Sequence, residues 1–513
     1  MKIFSAAQLH EADAATAEKQ NISQLQLMER AGNQLYAWLH KRLKGAPVQV
    51  HIFCGIGNNG GDGLVVGRLL IENGYNVNIY IANFTQKRSK CFLINYDRVK
   101  KVTKKWPVLM TSEADFPKIT AKDIAIDALF GIGLNRPPEG WVKKLVQHIN
   151  RSSAFTLSID IPSGLFANKP GTDPTAVVKP NHTLTFQTPK LSFFLPGTGK
   201  FVPHFEVIDI GLDQEYLHTT QPLAQLITKA AARNFYKQRE KYTHKGTYGH
   251  SLIIAGSYGK MGAAVLAARA AARAGSGLVS VFVPQCGYET LQTSFPEAMV
   301  FTDAEPGVIS KIEFDIKPTS TAIGMGIGTN GLTEKALREF LKKTNYPIVI
   351  DADALNIISK KKTLQKLIPK NSILTPHPGE LKRLIGPWAD DFEKIEKTKK
   401  LATALNAIVV VKGADTLTVF NGQLYINASG NPGMATGGTG DALAGVLCGL
   451  LAQGYDPLIA AVFGVYLHGS SGNIASQQQG FEAMIASDVI ANLGPAFLEL
   501  FAPNAEERQK KQG

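Results

Sequence analysis

Short apolar runs alternate with helix-forming segments along most of this 513-residue chain. In the first half, the runs PVQVHIFCG and YNVNIYIA flank the segment LVVGRLLIENG, whose apolar residues recur at helical spacing. Strands that alternate with helices predict a parallel sheet covered by helices on both faces. Ligands of such sheets bind at the carboxyl ends of the strands, so the residues that follow each apolar run are the first candidates for a site.

The same alternation starts again after a polar stretch in the middle of the chain. From about Leu212 to Ala230 neither a helix nor a strand period is evident, and the stretch contains Pro222. Beyond it come the strand-like run HSLIIAG and the alanine-rich segment AAVLAARAAARAG. A chain of this length is expected to hold more than one domain. We therefore predict two α/β domains, residues 1–215 and residues 225–513.

Composition excludes several classes of protein. Hydrophobic residues make up 44% of the chain and charged residues 19%, which argues against disorder. The net charge is +13, and nucleic acid or an anionic small ligand could be the partner of such a chain. The basic runs are scattered and no nucleic-acid-binding motif accompanies them, so an ordinary solvated surface explains the charge better. We find no apolar run of about 18 residues and expect no membrane span.

The chain start and the cysteines favour a cytoplasmic protein. The opening MKIFSAAQLHEADAATAEKQ is typical of an amphipathic helix and lacks the apolar core of a signal peptide. The four cysteines are far apart and form no C-x-x-C pair, so neither a zinc site nor a disulfide framework is predicted.

A glycine-rich segment, Gly55–Gly60, fits the pattern G-x-G-x-x-G between a predicted strand and a predicted helix. In a dinucleotide-binding fold an acidic residue should end the next strand, but that strand ends YIANFT. An ordinary NAD-dependent dehydrogenase is therefore excluded. The segment also carries Asn58, Asn59 and Asp62, which could be ligand-binding residues or simply residues that tolerate a tight turn.

Two further predicted strands end at an aspartate. Asp127 lies in DIAIDALFG, and Asp160 lies in SIDIPSG. Asn59, Asp127 and Ser163 could converge as hard oxygen ligands for a cation, and Asp160 could face a substrate hydroxyl. A single aspartate at a strand end is usually a cap or a turn former, but three such segments on one edge of a sheet favour a site.

The most informative segment of the second half is GNPGMATGGTGDALAG. Its glycines, between Gly430 and Gly440, lead into a predicted helix whose first residue is Asp441. Backbone N–H groups and the helix dipole favour an anion there. Asp441 could cap the helix, or it could lie beside a hydroxyl that the enzyme activates.

Two other segments of the second half follow apolar runs. The segment Lys412-Gly413-Ala414-Asp415-Thr416 follows AIVVV and suits a nucleotide phosphate or ribose, although an ordinary hairpin explains it equally well. In Thr375-Pro376-His377-Pro378-Gly379, two prolines flank a histidine of possible function.

The first half resembles the N-terminal domain of the bifunctional NAD(P)H-hydrate repair enzymes. The resemblance rests on GNNGGDGLVVGRLL, DALFGIGL, SIDIPSGL and TLTFQTPKLSFFLPG and covers nearly all of residues 1–215. It implies a Rossmann-like, three-layer epimerase domain that interconverts the R and S hydrates of NADH or NADPH and binds potassium. By motif, the implied hydrate-binding residues are Asn58, Asn59, Gly60, Gly61, Asp62, Gly131, Ile132, Gly133, Leu134, Asn135, Arg136, Pro137 and Asp160. The implied potassium ligands are Asn59, Asp127 and Ser163. That Asp160 also acts as the acid–base catalyst is our own hypothesis.

The second half resembles the ribokinase-like fold and, within it, the ADP-dependent NAD(P)H-hydrate dehydratases. The matching segments include VIDADALN, LTPHPGEL, VVVKGADT and NPGMATGGTGDALAGVLCGLLAQG. The resemblance implies that the S hydrate is converted to NAD(P)H while ADP gives AMP and phosphate, with Mg²⁺ at the phosphates and Asp441 as the base. The implied hydrate-binding residues are Ala263, Gly326, His377 and Asp441. The implied ADP-binding and AMP-binding residues are Lys412, Gly413, Ala414, Asp415, Thr416 and Gly440.

Two departures from that pattern and two alternative functions remain. Met325 stands between Gly324 and Gly326 where a proline is expected, and Asn473 stands where an aspartate is usual. A vitamin-type small-molecule kinase would use the same second fold, and the first half could be a non-enzymatic nucleotide sensor. NADHX, NADPHX and ADP are the expected small-molecule partners, and we expect a homo-oligomer.

Overall fold

The chain forms two compact units in a computed structural model, which describes residues 1–503. The N-terminal unit comprises residues 2–224 together with 390–392. The C-terminal unit comprises Met1, residues 225–389 and residues 393–503 of the described chain. The division after Ala224 falls inside the polar stretch between Leu212 and Ala230.

The N-terminal unit contains six α-helices and eight strands. The strands are β1 (Lys2–Ile3), β2 (Gln49–Cys54), β3 (Asn76–Ala82), β4 (Val108–Met110), β5 (Ile124–Ala128), β6 (Phe155–Ile159), β7 (His182–Phe186) and β8 (Phe205–Ile208). The helices are α1 (Ala6–Lys19), α2 (Gln24–Leu43), α3 (Asn58–Glu72), α4 (Lys90–Val102), α5 (Gly140–Arg151) and α6 (Gln214–Thr219).

The central sheet of this unit is parallel, as the alternation predicts. Seven strands lie in the order β4-β3-β2-β5-β6-β7-β8. Ile52 of β2 faces Ile79 on one side and Ile126 on the other, so the centre of the sheet is apolar. The carboxyl ends of β2, β5 and β6 are therefore neighbours, and this brings Asp127 and Asp160 to one edge.

The C-terminal unit is larger and contains ten strands and twelve helices within residues 225–503 and the adjoining Ala224. The strands are β9 (Ala224–Leu226), β10 (His250–Ile254), β11 (Leu278–Val283), β12 (Met299–Thr302), β13 (Ser320–Ile323), β14 (Val349–Ile350), β15 (Ile373–Leu374), β16 (Ile408–Val411), β17 (Thr416–Phe420) and β18 (Gln423–Asn427). The helices are α7 (Lys229–Phe235), α8 (Met261–Arg273), α9 (Tyr288–Ser294), α10 (Gly331–Lys343), α11 (Ala352–Lys360), α12 (Lys362–Gln365), α13 (Pro378–Ile385), α14 (Asp391–Leu405), α15 (Thr439–Ala452), α16 (Pro457–Gln479), α17 (Ala486–Ala491) and α18 (Leu493–Glu499).

The sheet of this unit is parallel at its centre and antiparallel towards one side. The strands lie in the order β9-β18-β17-β16-β15-β14-β13-β10-β11-β12, and β17 is antiparallel to both β16 and β18. Helix α15 packs closely on α8: a Cβ at Gly445 would lie 2.1 Å from the Ala267 carbonyl oxygen, and a Cβ at Gly449 would lie 2.5 Å from that of Ala271. These glycines fix the helix whose start carries Asp441.

Helix α16 corrects two expectations from the sequence. It has 23 residues, so the helix that follows the glycine-rich segment is not the last long one. It is also apolar and long enough to span a membrane by length and composition, whereas we predicted no such run. Its apolar side chains, including Phe463 and Leu467, are buried in the core of the C-terminal unit, as in the core helix of a globular domain.

Candidate active sites

The first candidate site begins at the start of α3. The segment Asn58–Asp62, expected as a loop, forms the first turns of this helix instead. Close backbone approach explains the glycines around it: a Cβ at Gly55 would lie 1.8 Å from the Leu129 carbonyl oxygen, and a Cβ at Gly60 would lie 1.8 Å from that of Gly55. Gly57 precedes the helix and has no side chain to cap it, so no side chain satisfies the first N–H groups of α3. Such a helix start favours an anionic ligand.

Asp127 and Ser163 lie together at this edge, as predicted. Ser163 donates from Oγ to Asp127 Oδ1 at 2.5 Å and from its backbone N–H to Oδ2 at 2.9 Å. The Ser158 hydroxyl and the Leu129 N–H also donate to the Asp127 carboxylate. Burial raises the pKa of Asp127, and the hydrogen bonds from Ser163 oppose that rise. Within residues 1–503 this buried carboxylate has no cationic partner.

Asn59 meets the predicted substrate loop at its start. The side chain of Asn59 is 8% exposed, and its Nδ2 has no hydrogen-bond partner within the described chain. A Cβ at Gly131 would lie 3.3 Å from Asn59 Cβ, so the two residues are in contact. Three of the seven residues from Gly131 to Pro137 are exposed, namely Gly133, Asn135 and Arg136, and so is Asn58 at the start of α3. Ile132, Leu134 and Pro137 are half-buried.

Asp160 follows β6 in a left-handed backbone conformation, with a φ of 64°. Its Oδ1 lies 2.8 Å from Lys190 Nζ and accepts a hydrogen bond from the Phe186 N–H. Lys190 is buried and also donates to the Thr185 hydroxyl and to the Thr188 carbonyl oxygen. Lys190 lies in the motif TLTFQTPKLSFFLPG, but the sequence did not predict it as a site residue.

The carboxyl groups of Asp62 and Asp13 interact electrostatically with Asp160. Burial raises the pKa of Asp62 well above its usual range, and the charges of Asp160 and Asp13 add to this effect. Burial and the charge of Asp160 raise the pKa of Asp13 to about 6, against the opposing charge of Lys190. Asp13 lies on α1, and sequence reasoning missed it because a single aspartate on an amphipathic helix carries no motif.

The second candidate site is a cavity of about 660 Å³ in the C-terminal unit. All six residues predicted to bind the adenine nucleotide line it: Lys412, Gly413, Ala414, Asp415, Thr416 and Gly440. The segment from Lys412 to Thr416 does connect two antiparallel strands, so the hairpin interpretation is also right. The remaining wall includes Asn431, Met434 and His468, which sequence reasoning did not single out.

An ion pair holds Lys412, a residue of the cavity wall. Lys412 Nζ lies 2.8 Å from Asp351 Oδ1, and the Lys412 N–H donates to the Pro376 carbonyl oxygen. A Cβ at Gly440 would lie 3.4 Å from Lys412 Nζ. Glycine at this position therefore leaves the ammonium group open. Burial raises the pKa of Asp415, also in the cavity wall, to about 6.

Asp441 is the third residue of α15, not the first as expected, and it does not cap the helix. Gly438 precedes the helix with a φ of 90°, and no side chain caps the free N–H groups. Within residues 1–503 the Asp441 carboxylate has no hydrogen-bond partner. Burial raises its pKa to about 6, and the charges of Asp351 and Asp353 add to the rise while Lys412 opposes it.

The other predicted hydrate-binding residues of this unit lie in two places. Ala263 and Gly326 are neighbours, since a Cβ at Gly326 would lie 3.2 Å from Ala263 Cβ. His377 caps α13: its Nδ1 accepts from the Gly379 N–H at 3.0 Å, and its Nε2 lies 3.3 Å from Glu380 Oε1. The side chain of His377 is half exposed, so the capping role leaves part of the ring accessible.

Neither departure from the expected pattern disturbs the fold of the site. Met325 is buried in the core, while Gly324 and Gly326 on either side adopt positive φ angles. A Cβ at Gly324 would lie 1.9 Å from the Asp351 carbonyl oxygen, so close packing holds this loop in place without a proline. Asn473 Oδ1 accepts a hydrogen bond from Asn431, a residue of the cavity wall.

Comparison with known proteins identifies the family. A family model described as NAD(P)H-hydrate dehydratase matches residues 251–494, and one described as YjeF-related protein N-terminus matches residues 24–192. A bifunctional NAD(P)H-hydrate repair enzyme of Moorella thermoacetica is 34% identical over 99% of this chain and 98% of its own length. The chain belongs to the family of bifunctional NAD(P)H-hydrate repair enzymes. The Escherichia coli member is 31% identical over 96% of this chain and 93% of its own.

A solved structure was also found for the second half. An ADP/ATP-dependent NAD(P)H-hydrate dehydratase from Bacillus subtilis, co-crystallised with ATP and Mg²⁺, is 28% identical and covers 54% of this chain and 99% of its own. The TM-score is 0.48. The family membership confirms the resemblance and the two-domain α/β fold that the sequence predicted.

Proposed function

We propose that this protein repairs hydrated nicotinamide nucleotides at two sites. The N-terminal unit interconverts the R and S hydrates, and the C-terminal unit converts the S hydrate to NAD(P)H while ADP gives AMP and phosphate. The observation that carries this proposal is the position of Asp441. This carboxylate has no hydrogen-bond partner within the described chain. It directly follows Gly440, which lines the cavity together with the other five predicted nucleotide-binding residues.

In the C-terminal unit, Asp441 takes the proton from the hydroxyl of the S hydrate. The oxygen then attacks the terminal phosphate of ADP, AMP leaves, and elimination of phosphate restores the reduced ring. The uncapped N–H groups at the start of α15 and the Lys412 ammonium favour the negative charge of the phosphates. Because Asp351 holds Lys412, the ammonium is kept in one position.

The residues of the cavity fit a magnesium ion that arrives with the nucleotide. Among residues 1–503, no three His, Cys, Asp or Glu side chains are grouped to hold a metal by themselves. Mg²⁺ usually binds through phosphates, water and only one or two carboxylates. Asp415 would supply such a carboxylate, since it lines the cavity, and the bound ion would offset the burial that raises its pKa. The ion would neutralise charge on the phosphates.

In the N-terminal unit, the hydroxyl of the hydrate leaves and water returns to either face of the ring. In this proposal Asp160 moves the proton, and its support is the ion pair in which Lys190 holds the Asp160 carboxylate after β6, the strand next to the one that carries Asp127. Asn59, Asp127 and Ser163 fit a potassium ion: they offer hard oxygen atoms, and the buried carboxylate of Asp127 has no cationic partner among residues 1–503. The ion would organise oxygen atoms of the substrate.

The remaining expectations from the sequence are part of the same proposal. We infer a cytoplasmic homo-oligomer whose partners are NADHX, NADPHX and ADP, with no role for nucleic acid or a membrane. Analytical ultracentrifugation of the full chain measures the oligomeric state.

Incubation with enzymatically hydrated NADH, with and without ADP, tests the function. We expect the near-ultraviolet absorbance of the reduced ring to return only with ADP, and to return fully from a mixture of both epimers. A stable phosphorylated product would show a small-molecule kinase instead. Recovery of the S epimer alone would show that the first half is not an epimerase, as a nucleotide sensor requires.

A further inference from the structure

The N-terminal helix α1 places one carboxyl group inside the first site. Asp13 lies four residues after Leu9 and three before Thr16, and residues at these spacings share a helix face. Leu9 and Thr16 are buried, so Asp13 points inward with them. Ala12, the residue before Asp13, belongs to an apolar cluster against which Phe186 packs, and the Phe186 N–H donates to Asp160. The charges of Asp160 and Lys190 act on Asp13. Within residues 1–503, the Asp13 carboxylate has no hydrogen-bond or ion-pair partner.

A second carboxyl group near Asp13 is also without a partner. Asp62 is 8% exposed and accepts no hydrogen bond from any described residue, although Asp13 and Asp160 act on its charge. A buried polar group in a folded protein is normally hydrogen-bonded. Asn59, one helical turn before Asp62, has an unpartnered buried Nδ2 as well. These unpartnered groups indicate a polar ligand between α1 and the start of α3.

Epimerisation at a hydrated ring carbon needs more than one acid–base group. The hydroxyl takes a proton and leaves as water, while the ring nitrogen lone pair forms a C=N bond. Water then adds to the other face of the same carbon, the C=N bond returns its electrons to nitrogen, and the added water gives up a proton. One carboxylic acid and one carboxylate balance this sequence: the acid gives its proton to the departing hydroxyl, and the carboxylate takes a proton from the added water. Proton exchange with solvent then restores both groups before the next conversion.

We propose that Asp13 is a second acid–base residue of the epimerase site and exchanges a proton with the hydrate while Asp160 exchanges the other. The proposal rests on the epimerase function proposed above. Asp160 is paired with the Lys190 ammonium, whereas Asp13 has no hydrogen-bond or ion-pair partner among residues 1–503. Two carboxyl groups in different surroundings thereby take different roles.

Asp13→Asn tests this in the full-length protein. The assay follows the R epimer with excess ADP, so the intact C-terminal unit converts each S molecule as it forms. We expect kcat for the R epimer to fall about 10²-fold or more with KM little changed, because an acid–base group acts only in the reaction step. Conversion of the S epimer should be unchanged. Glu18→Gln is the matched control, since it makes the same charge change at an exposed position of the same helix.

The outcomes separate the possible roles of Asp13. A wild-type rate in Asp13→Asn overturns the proposal, and so does a raised KM with unchanged kcat, which would mean that Asp13 only binds substrate. If Asp13→Asn lowers the thermal midpoint, Asp13→Glu decides: it keeps the carboxyl group and should restore part of kcat. An equal loss in Asp13→Glu and Asp13→Asn would make the role structural. If the wild-type protein converts no R epimer, that result contradicts the proposed epimerase function itself and is distinct from a failure of the role proposed for Asp13.

Discussion

Lys190 Nζ lies 2.8 Å from Asp160 Oδ1, and the two side chains are only 1% and 9% exposed. The ammonium also donates to the Thr185 hydroxyl and to two backbone carbonyl oxygens, so each of its polar hydrogens has an acceptor. A buried ion pair of this kind adds little net stability, but removal of one partner leaves a charge in a medium that solvates it poorly. The pair therefore couples the acid–base residue to the stability of its unit.

Lys190→Met should destabilise the N-terminal unit by about 3–5 kcal/mol, because Asp160 loses its buried counter-charge. Denaturant unfolding of the full-length protein, followed by a probe in the N-terminal unit, measures the change. The double variant Lys190→Met with Asp160→Asn should regain much of the loss, since no charge is left unpaired. Lys179→Met, at an exposed position, is the control. Equal stability of Lys190→Met and wild type would contradict the importance of the pair.

Asp441→Asn should abolish dehydration of the S epimer and leave epimerisation intact. Loss of a catalytic base typically costs roughly 10²–10⁴ in rate. The two activities are measured on one preparation, by the return of ring absorbance with ADP and by epimer analysis without it. Asp456→Asn is a control that changes a partly exposed cap of α16. Dehydration near the wild-type rate would remove Asp441 from the base role.

Dehydration should also depend on pH through Asp441. Its pKa is raised to about 6, chiefly by burial, and only the ionised form can take a proton from the hydroxyl. The kcat/KM for the S epimer reports the free enzyme, so it is expected to be constant above about pH 6 and to fall tenfold for each further pH unit below it. A rate that stays constant as the pH drops through about 6 would show that Asp441 does not act as the base.

The two-domain α/β architecture could be predicted from the sequence because apolar residues recur at the spacings of strands and helices. The runs that predict β2, β3, β5 and β6 form parallel strands, and parallel strands bring their carboxyl ends to one edge, which is why Asp127 and Ser163 meet as expected. The start of α3 was placed wrongly because asparagine and glycine are typical of loops, whereas here they serve close backbone packing and an uncapped helix start.

Asp13 and Lys190 could not be found in this way. Asp13 is far from Asp160 along the chain and lies on α1, which carries no distinctive pattern. Lys190 lies in the segment after β7. Only the packing of these two segments brings the residues near Asp160. In the second half, Asp351 lies in a segment that matches the family, but its ion pair with Lys412 depends on the sheet, in which β14 and β16 lie on either side of β15.

Potassium should be needed by the first site and not by the second. With lithium in place of potassium, we expect slower interconversion of the epimers, because the smaller ion does not suit a site built from Asn59, Asp127 and Ser163. A readout independent of activity is the rise in thermal midpoint on adding potassium, which follows from binding to the folded state. Asn59→Ala should lose that rise. Unchanged rates in lithium, with no potassium-dependent rise, would remove the cation from the site.

Asp160→Asn should separate the fates of the two epimers. Given an equimolar mixture with excess ADP, the wild-type protein is expected to repair all of it, since the first site feeds the second from the R epimer. Asparagine keeps the size of aspartate but cannot exchange a proton at neutral pH. The variant should therefore recover the S half quickly and the R half only at the spontaneous rate, which a protein-free control supplies. An R phase that is intermediate and speeds up with more substrate would mean that Asp160 positions substrate instead. Two phases identical to the wild type would make Asp160 a turn residue, and the site built around Lys190, Asp13 and Asp62 would then be misplaced.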